Sequence, residues 1–256
     1  MRITSWNVNG LRAAARKGLA KHLEAIEPDV LLLQEIRATP EQLEPDLARP
    51  RGWQAHWHPA EKLGYAGVAT WSRNGAHERL GTGIDGPDPE GRVLRTRVGG
   101  VQLVNVYLPS GSSGPDAQAR KEAWMDVFLP WSERIAATDE PVVLAGDLNI
   151  AHTELDIHNA TANRKNSGFL PHERAWFGEL LGRGWTDLVR AHLGPIQGPY
   201  SWWSNRGNAR ALDRGWRIDY LLGNAAAAAR LAAVEVRRAG GLEISDHAPV
   251  TVELNA

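Results

Sequence analysis

Gly146-Asp147-Leu148-Asn149 follows the very apolar run Val142–Ala145. A carboxylate and an amide two residues apart point to the same side if the strand geometry continues past that run. Such a pair suits a hard cation or a phosphate-bound water, and an Asx turn at a strand end is the structural alternative. Glu35 ends a second apolar run, beginning at Val30, so it lies at a core rim where a carboxylate is costly unless paired or metal-bound. His247 follows Asp246 directly and stands just before Pro249, at a strand entrance. The chain has no cysteine, which rules out disulfides, thiol nucleophiles and thiolate metal sites. Carboxylate and amide oxygens without soft ligands point to Mg²⁺ or Mn²⁺. Hydrolysis of a phosphodiester asks for neutralised phosphate oxygens, an activated water and a stabilised leaving alkoxide. Carboxylates, Asn, Tyr and His meet those demands.

Strand-like runs must position these groups. Six of them end in a carboxylate, an amide, a phenol or an imidazole: Ile3–Asn9, Val30–Glu35, Leu103–Tyr107, Val142–Asn149, Ile218-Asp219 and Ile244–His247. Packed sheets would bring such ends to one edge. The pattern predicts strands over Arg2–Val8, Val30–Gln34, Gly67–Ser72, Val93–Val98, Val101–Leu108, Pro141–Ala145, Trp216–Leu222, Leu231–Val236 and Pro249–Leu254. Gly99-Gly100 signals a hairpin between two of these strands. One amphipathic helix is expected over Leu11–Ile26, another over Asp116–Ala137 with a kink or break at Pro130, and a third over Glu173–Leu181. Strands that partly alternate with helices and partly form hairpins argue for α/β layers rather than a simple doubly wound sheet.

Composition narrows the field. The chain has 256 residues, 43% of them hydrophobic and 23% charged, enough for a sizeable core, and no stretch reads as a linker, so one domain over 1–256 is expected. Absence of cysteine fits a reducing cytoplasm, and no apolar run reaches the roughly 18 residues needed to span a membrane. Gly81–Gly86 fits the letters of a dinucleotide fingerprint, but Pro87-Asp88-Pro89 opposes the helix that must follow, so it reads as a loop. There is no Walker A pattern, and the nine His show no zinc spacing. The formal net charge of -1 does not advertise a nucleic-acid partner, yet residues 160–217 hold nine Lys/Arg against four Asp/Glu, leaving -6 for the remainder. Part of that -6 is Glu35, Asp147, Asp219 and Asp246.

At these residues the sequence resembles the exonuclease III family of AP endonucleases, within the endonuclease/exonuclease/phosphatase superfamily. The resemblance runs in order from Ile3 to Val252, through Thr4–Ala13, Leu33-Gln34-Glu35, Gly64–Val68, Asn105–Pro109, Gly146–Ile150, Asn163–Phe169, Gly215–Tyr220 and Ser245–Pro249. It implies a four-layer α/β sandwich, two packed mixed sheets flanked by helices, with the site at one edge. It implies that Glu35 is the main Mg²⁺ ligand, with Asp246 and Asn7 close to the same metal. Asp147 matches a residue that activates water or binds metal, and Asn149 belongs to the same set, holding that Asp and the phosphate. Tyr107 resembles a phenol on the scissile phosphate, His247 a phosphate-binding imidazole, and Asp219 the carboxylate that orients it. Asn163, Lys165 and Asn166 resemble a loop on the DNA backbone, which Arg37 would also contact. Trp202, Trp216 and Ile218 match an apolar pocket for a flipped-out abasic sugar.

The activity so implied is Mg²⁺-dependent cleavage 5′ to abasic sites in double-stranded DNA, with 3′-end processing beside it; Mn²⁺ is expected to substitute, and a monomer is the default expectation. Two departures stand out: Arg37 occupies a position where relatives often have Lys, and the Gly/Ser-rich loop Ser110–Asp116 has no Arg to push into a duplex. Two rival readings are a phosphatase acting on inositol phosphates or sphingolipids, and a DNA-binding module without catalysis. The Trp-lined pocket opposes the first, and the complete polar set opposes the second.

Overall fold

Val30–Gln34 is apolar at its first four positions, the pattern of a strand covered on both faces. The computed structural model, which describes residues 1–73, 75–238 and 243–256, bears this out and places the strand inside one of two six-stranded mixed sheets. In chain order the strands are β1 (Arg2–Asn7), β2 (Val30–Gln34), β3 (Gln54–His58), β4 (Val68–Ser72), β5 (His77–Thr82), β6 (Val93–Val98), β7 (Val101–Tyr107), β8 (Val142–Asp147), β9 (Thr186–Asp187), β10 (Asp219–Gly223), β11 (Leu231–Val236) and β12 (Val250–Leu254). The first sheet runs β11-β12-β1-β2-β4-β3 and the second β5-β6-β7-β8-β10-β9.

Period-2 alternation sorts the side chains into layers. Ile3, Val30, Leu32, Leu103, Val143, Ala145, Leu221 and Val252 fill the space between the sheets. Their neighbours Leu31 and Leu33 turn outward beneath helix Leu19–Ile26. Val104, Val106, Leu144, Tyr220 and Leu222 turn outward beneath helices Pro115–Ala136 and Pro171–Gly182. Each fully buried Leu or Val in these layers contributes about 1.5–3 kcal/mol of transfer free energy before chain entropy is set against it. The result is the expected four-layer sandwich. Among the described residues no helix is long and apolar enough to cross a membrane.

Several expected boundaries move, each for a local reason. The single helix expected over Leu11–Ile26 is two, Leu11–Arg16 and Leu19–Ile26, because Gly18 between them is left-handed with φ 97°. The helix expected to kink or break at Pro130 runs unbroken from Pro115 to Ala136. Pro130 and Asp126, whose carbonyl loses its partner, both lie on the exposed face, while Phe128, Leu129 and Trp131 anchor the buried one. The strand expected over Trp216–Leu222 starts only at Asp219, and Trp216 makes isolated bridges to Ile157 and Trp202 instead. The loop expected from Gly81 onward yields its first two residues to β5, and no helix follows the fingerprint letters.

Candidate active site

The inner-face positions of the strands run on past the apolar core into polar groups. Tyr107 of β7, Asp147 of β8 and Asp219 of β10 are direct register partners, so three adjacent strands of the second sheet deliver them in one row. Asn7 ends the inner-face series Ile3, Ser5, Asn7 on the facing sheet, and its Nδ2 donates across the gap to Asp147 Oδ2 at 2.9 Å. Gly146 makes this row possible. Its φ is 151°, and an added Cβ would lie 1.8 Å from the carbonyl oxygen of Val106 on the neighbouring strand.

His247 completes the row from the segment before β12. Its Nδ1 donates to Asp219 at 2.9 and 3.1 Å, and its Nε2 lies 3.8 Å from Asp147 Oδ2. Burial alone would lower the imidazole's pKa, but Asp219, supported by Asp147, raises it to about 10. The group is therefore an imidazolium at neutral pH, held in place and turned toward Asp147. Burial, and then Asp219, push the Asp147 carboxyl up to about 7 against the pull of His247. These two groups share one electrostatic environment and titrate as a pair. Ser201 anchors the arrangement: its Oγ donates to Asp219 Oδ2 at 2.7 Å and accepts the Ile218 and Asp219 amides.

Glu35 reaches the site by breaking the alternation. Val30, Leu32 and Gln34 share the inner phase, and Glu35 would follow on the outer one; a left-handed φ of 50° redirects the chain there. Its carboxylate accepts from the Tyr107 hydroxyl and from Arg37 Nη2, the latter at 2.8 Å. Burial, then the Glu35 and Asp147 carboxylates, raise the Tyr107 phenol well above its ordinary value, so it stays a donor. Asp246 accepts from Asn9 Nδ2 at 2.8 Å and Trp202 Nε1 at 3.1 Å, and against its burial the nearby His247 holds it below the ordinary carboxylate range. Asn7 Oδ1 accepts the Asn9 amide. Every candidate ligand of this group is a hard oxygen donor, which fits a small divalent cation. Among the described residues the tightest acidic cluster is a different one, Asp147, Asp219 and His247, whose ligand atoms lie within 4.8 Å of one another. Glu35 and Asp246 stand outside it. Because Asp219 is already committed to His247 Nδ1, that cluster is better suited to holding protons than a metal ion.

One sequence expectation needs correction. Strand geometry does not continue to Asn149, which is left-handed at φ 50°. Its amide donates to Asp147 Oδ1 at 2.9 Å, so the Asx turn is present, and its Nδ2 goes to the Leu108 carbonyl rather than to Asp147. Arg37, expected to face a DNA backbone, pairs with Glu35 through Nη2 and leaves its side chain 42% exposed.

Beside the row, Trp202 and Trp216 stand edge to face, 6.1 Å apart at 86°, over Ile157, Phe169 and Ile218. All three residues expected to form a pocket thus belong to one apolar cluster. Isolated bridges link Trp202 to both Trp216 and His247, so this apolar cluster and the row are continuous. Asn163 and Asn166 are bonded to each other at 2.8 Å, with Asn163 closing the short helix Ala160–Asn163, and Lys165 is exposed.

Residues 4–247 match the Endonuclease/Exonuclease/phosphatase family. The chain belongs to that family. Within it, the chain is 34% identical to the exodeoxyribonuclease of Bacillus subtilis over the full length of both proteins. It is 38% identical to the DNA repair nuclease APEX1 of Danio rerio, covering 99% of this chain and 82% of that protein. The solved structure of a Neisseria 3′ phosphatase bound to a product DNA hairpin superposes over the whole of both chains, with a TM-score of 0.88 at 32% identity. The resemblance to the exonuclease III and AP endonuclease branch is borne out, and the chain is a hydrolase of that type.

Family membership makes the supporting residues that the sequence reading passed over more interesting. Ser201 stands beside Trp202-Trp203 and drew no notice next to them. Arg217, between Trp216 and Ile218, makes a buried pairing with Asp156 and Asp187, 2.7 Å from each. Buried Lys121 and Glu173 also escaped notice, since on a helix pattern such residues read as surface charges.

Proposed function

We propose that this enzyme is a Mg²⁺-dependent DNA-repair phosphodiesterase that incises duplex DNA 5′ to abasic sites. The observation that carries the reading is the continuity of the Tyr107–Asp147–Asp219–His247 row with the Trp202/Trp216/Ile218 wall. A phosphate on the row would set a neighbouring base-free sugar against the wall, where an intact nucleotide is excluded. The His247 imidazolium binds a nonbridging phosphate oxygen and Asp219 holds its proton in place. Asp147, oriented by Asn7 and the Asn149 amide, accepts a proton from the attacking water. The new bond joins water oxygen to phosphorus; the bond that breaks joins phosphorus to the upstream 3′ oxygen, which leaves as 3′-OH after taking up a proton. Tyr107, whose hydroxyl donates to Glu35 in the free enzyme, turns that one donor to the phosphate. Glu35, Asp246 and Asn7 would hold the cation, which would supply positive charge for the phosphate and the leaving oxygen. Arg37, while paired with Glu35, meets the DNA backbone together with Asn163, Lys165 and Asn166.

The same groups act on a 3′ phosphate or 3′-terminal nucleotide, and the DNA-bound Neisseria phosphatase supports that second activity. The reading takes the chain as one catalytic domain acting as a cytoplasmic monomer, with Mn²⁺ able to replace Mg²⁺. Its test is a duplex carrying one tetrahydrofuran abasic analogue, incubated with Mg²⁺ or EDTA, with Asp147→Asn as control. Metal-dependent incision 5′ to the analogue is expected. Hydrolysis of inositol phosphates without incision, or duplex binding without cleavage, would overturn it.

A further inference from the structure

Lys121, on helix Pro115–Ala136, and Glu173, on helix Pro171–Gly182, are both fully buried and meet at 2.5 Å. Burial lowers the Lys121 pKa and Glu173 works against that shift. A buried ion pair is a poor way to stabilise a fold, because well-packed apolar residues in its place are often as good or better. What this pair holds points to another purpose. Lys121 Nζ also donates to the Asn149 carbonyl at 2.9 Å, at the left-handed residue that ends the Asp147 turn. Glu173 Oε2 accepts the amides of Gly168 and Leu170 at 2.6 and 3.0 Å, and Gln118 donates to Oε1 at 3.1 Å. Gln118 in turn accepts from Ser167 at 2.7 Å. The loop that follows Asn163–Asn166 is thereby fastened by one carboxylate, and the catalytic turn by its ammonium partner.

Gly168 closes the link from the other side. Its carbonyl accepts the Ala151 amide at 2.8 Å, and a Cβ there would stand 3.0 Å from the Asn149 carbonyl oxygen and 3.2 Å from the Trp216 ring. Loop, catalytic turn and pocket wall therefore converge on one point that two buried charges hold together.

We propose that Lys121 and Glu173 form a positioning pair that sets the register of the DNA-facing loop against the Asp147–Asn149 turn, so that a phosphate gripped by the loop arrives on the catalytic row. The proposal rests on the reading of the site as a DNA phosphodiesterase. Neither residue touches the substrate; Lys121 acts through Asn149 and Glu173 through Gly168.

The test is the double variant Lys121→Met/Glu173→Leu, which removes both charges and fills their volume. Its fold is checked by near-UV circular dichroism, and its Mg²⁺-dependent incision of the abasic-analogue duplex is resolved into kcat and KM. A folded double variant is expected to lose about 10–100-fold in kcat/KM, the scale of losing a supporting hydrogen bond or about 1 Å of alignment. The loss should appear in both kcat and KM, and hydrogen exchange at the Gly168 and Leu170 amides should quicken while β8 stays protected. Lys121→Arg, which keeps the charge and the donor, should recover most of the activity. If the double variant does not fold, Glu173→Gln replaces it and is expected to raise KM with kcat less affected. A folded variant with kcat and KM both within twofold of the wild type would overturn the proposal. A wild type with no metal-dependent incision would instead overturn the phosphodiesterase reading, and the amide exchange would still report on the coupling.

Discussion

The catalytic row and the Asn163–Asn166 loop are built from similar polar side chains, yet they are held in opposite ways. In the row, Asp147, Asp219 and His247 are buried, and each carboxylate is fixed by donors from two directions: Asn7 and Asn149 on Asp147, Ser201 and His247 on Asp219. In the loop, Lys165 and Asn166 are exposed, and the amides bond to one another or to local carbonyls. Charge that develops in a transition state is best met by dipoles that need not reorganise, because reorganisation costs barrier height. A DNA backbone, by contrast, is already charged before the reaction, and flexible exposed donors suffice to grip it. On the proposed reading, the row carries the chemistry and the loop the affinity.

The sharpest way to break that division is Asp147→Asn. If the row carries the chemistry, kcat should fall about 10²–10⁴-fold, the span of a lost general base, with duplex affinity nearly unchanged in a filter-binding assay. Chelation with EDTA should abolish incision while leaving the circular dichroism spectrum intact. A drop of less than tenfold for Asp147→Asn would move the chemistry elsewhere.

Asp219→Asn probes how the row is charged. His247 has a folded-state pKa of about 10 against an ordinary 6.5, so its contribution to stability is fully present below about 6.5 and fades as pH rises through about 10. Activity that needs the imidazolium should share that alkaline limit. Removing the carboxylate that raises it leaves burial to pull the imidazole down. The alkaline limb of the kcat/KM profile should therefore move to lower pH by more than one unit, read from initial rates across pH 6–10. An unmoved limb would mean that another group sets it.

Trp202→Ala tests the boundary between the two regions. The indole forms part of the apolar wall and also donates to Asp246, so its loss opens the pocket and loosens a candidate metal carboxylate. Incision at the abasic analogue should drop about 10–100-fold, as for other lost supporting contacts at metal sites. Trp202→Phe keeps the wall without the donor, so it should lose less at the abasic analogue and show a raised Mg²⁺ requirement. Equal effects of the two substitutions would show that the wall contributes nothing.

Much of this site was legible because strand alternation is a strong signal. Val143, Ala145 and Asp147 share one phase, and nothing but the two-residue period was needed to set Asp147 at the end of a buried row. The same rule misleads at Glu35 and Asn149, where left-handed backbone breaks the phase; asparagine favours that region, but no residue type announces it at Glu35. β3 and β5 went unread because they are edge strands: Gln54–His58 and His77–Thr82 mix polar and apolar residues without clear alternation. Lys121 and Glu173 were invisible for a different reason. Their importance lies in partners 28 and 52 residues away in sequence, and only the packing of two helices brings them together.

Lys165→Ala should have the smallest effect of all, and its form matters more than its size. Lys165 is exposed, so the substitution leaves the core and the row untouched. A lysine that neutralises one phosphate releases about one counterion, so its removal should weaken binding by a similar factor for every duplex sequence. The slope of log K against log salt should also fall by about one. The surplus of cations over residues 160–217 makes this segment the natural origin of that slope, whereas Glu35, Asp147, Asp219 and Asp246 supply negative charge at the row. Asp147→Asn removes one of those anions, so it should leave the slope unchanged or steepen it. If Lys165→Ala changed kcat while the slope stayed constant, the loop would belong to the chemistry and the division between row and loop would fail.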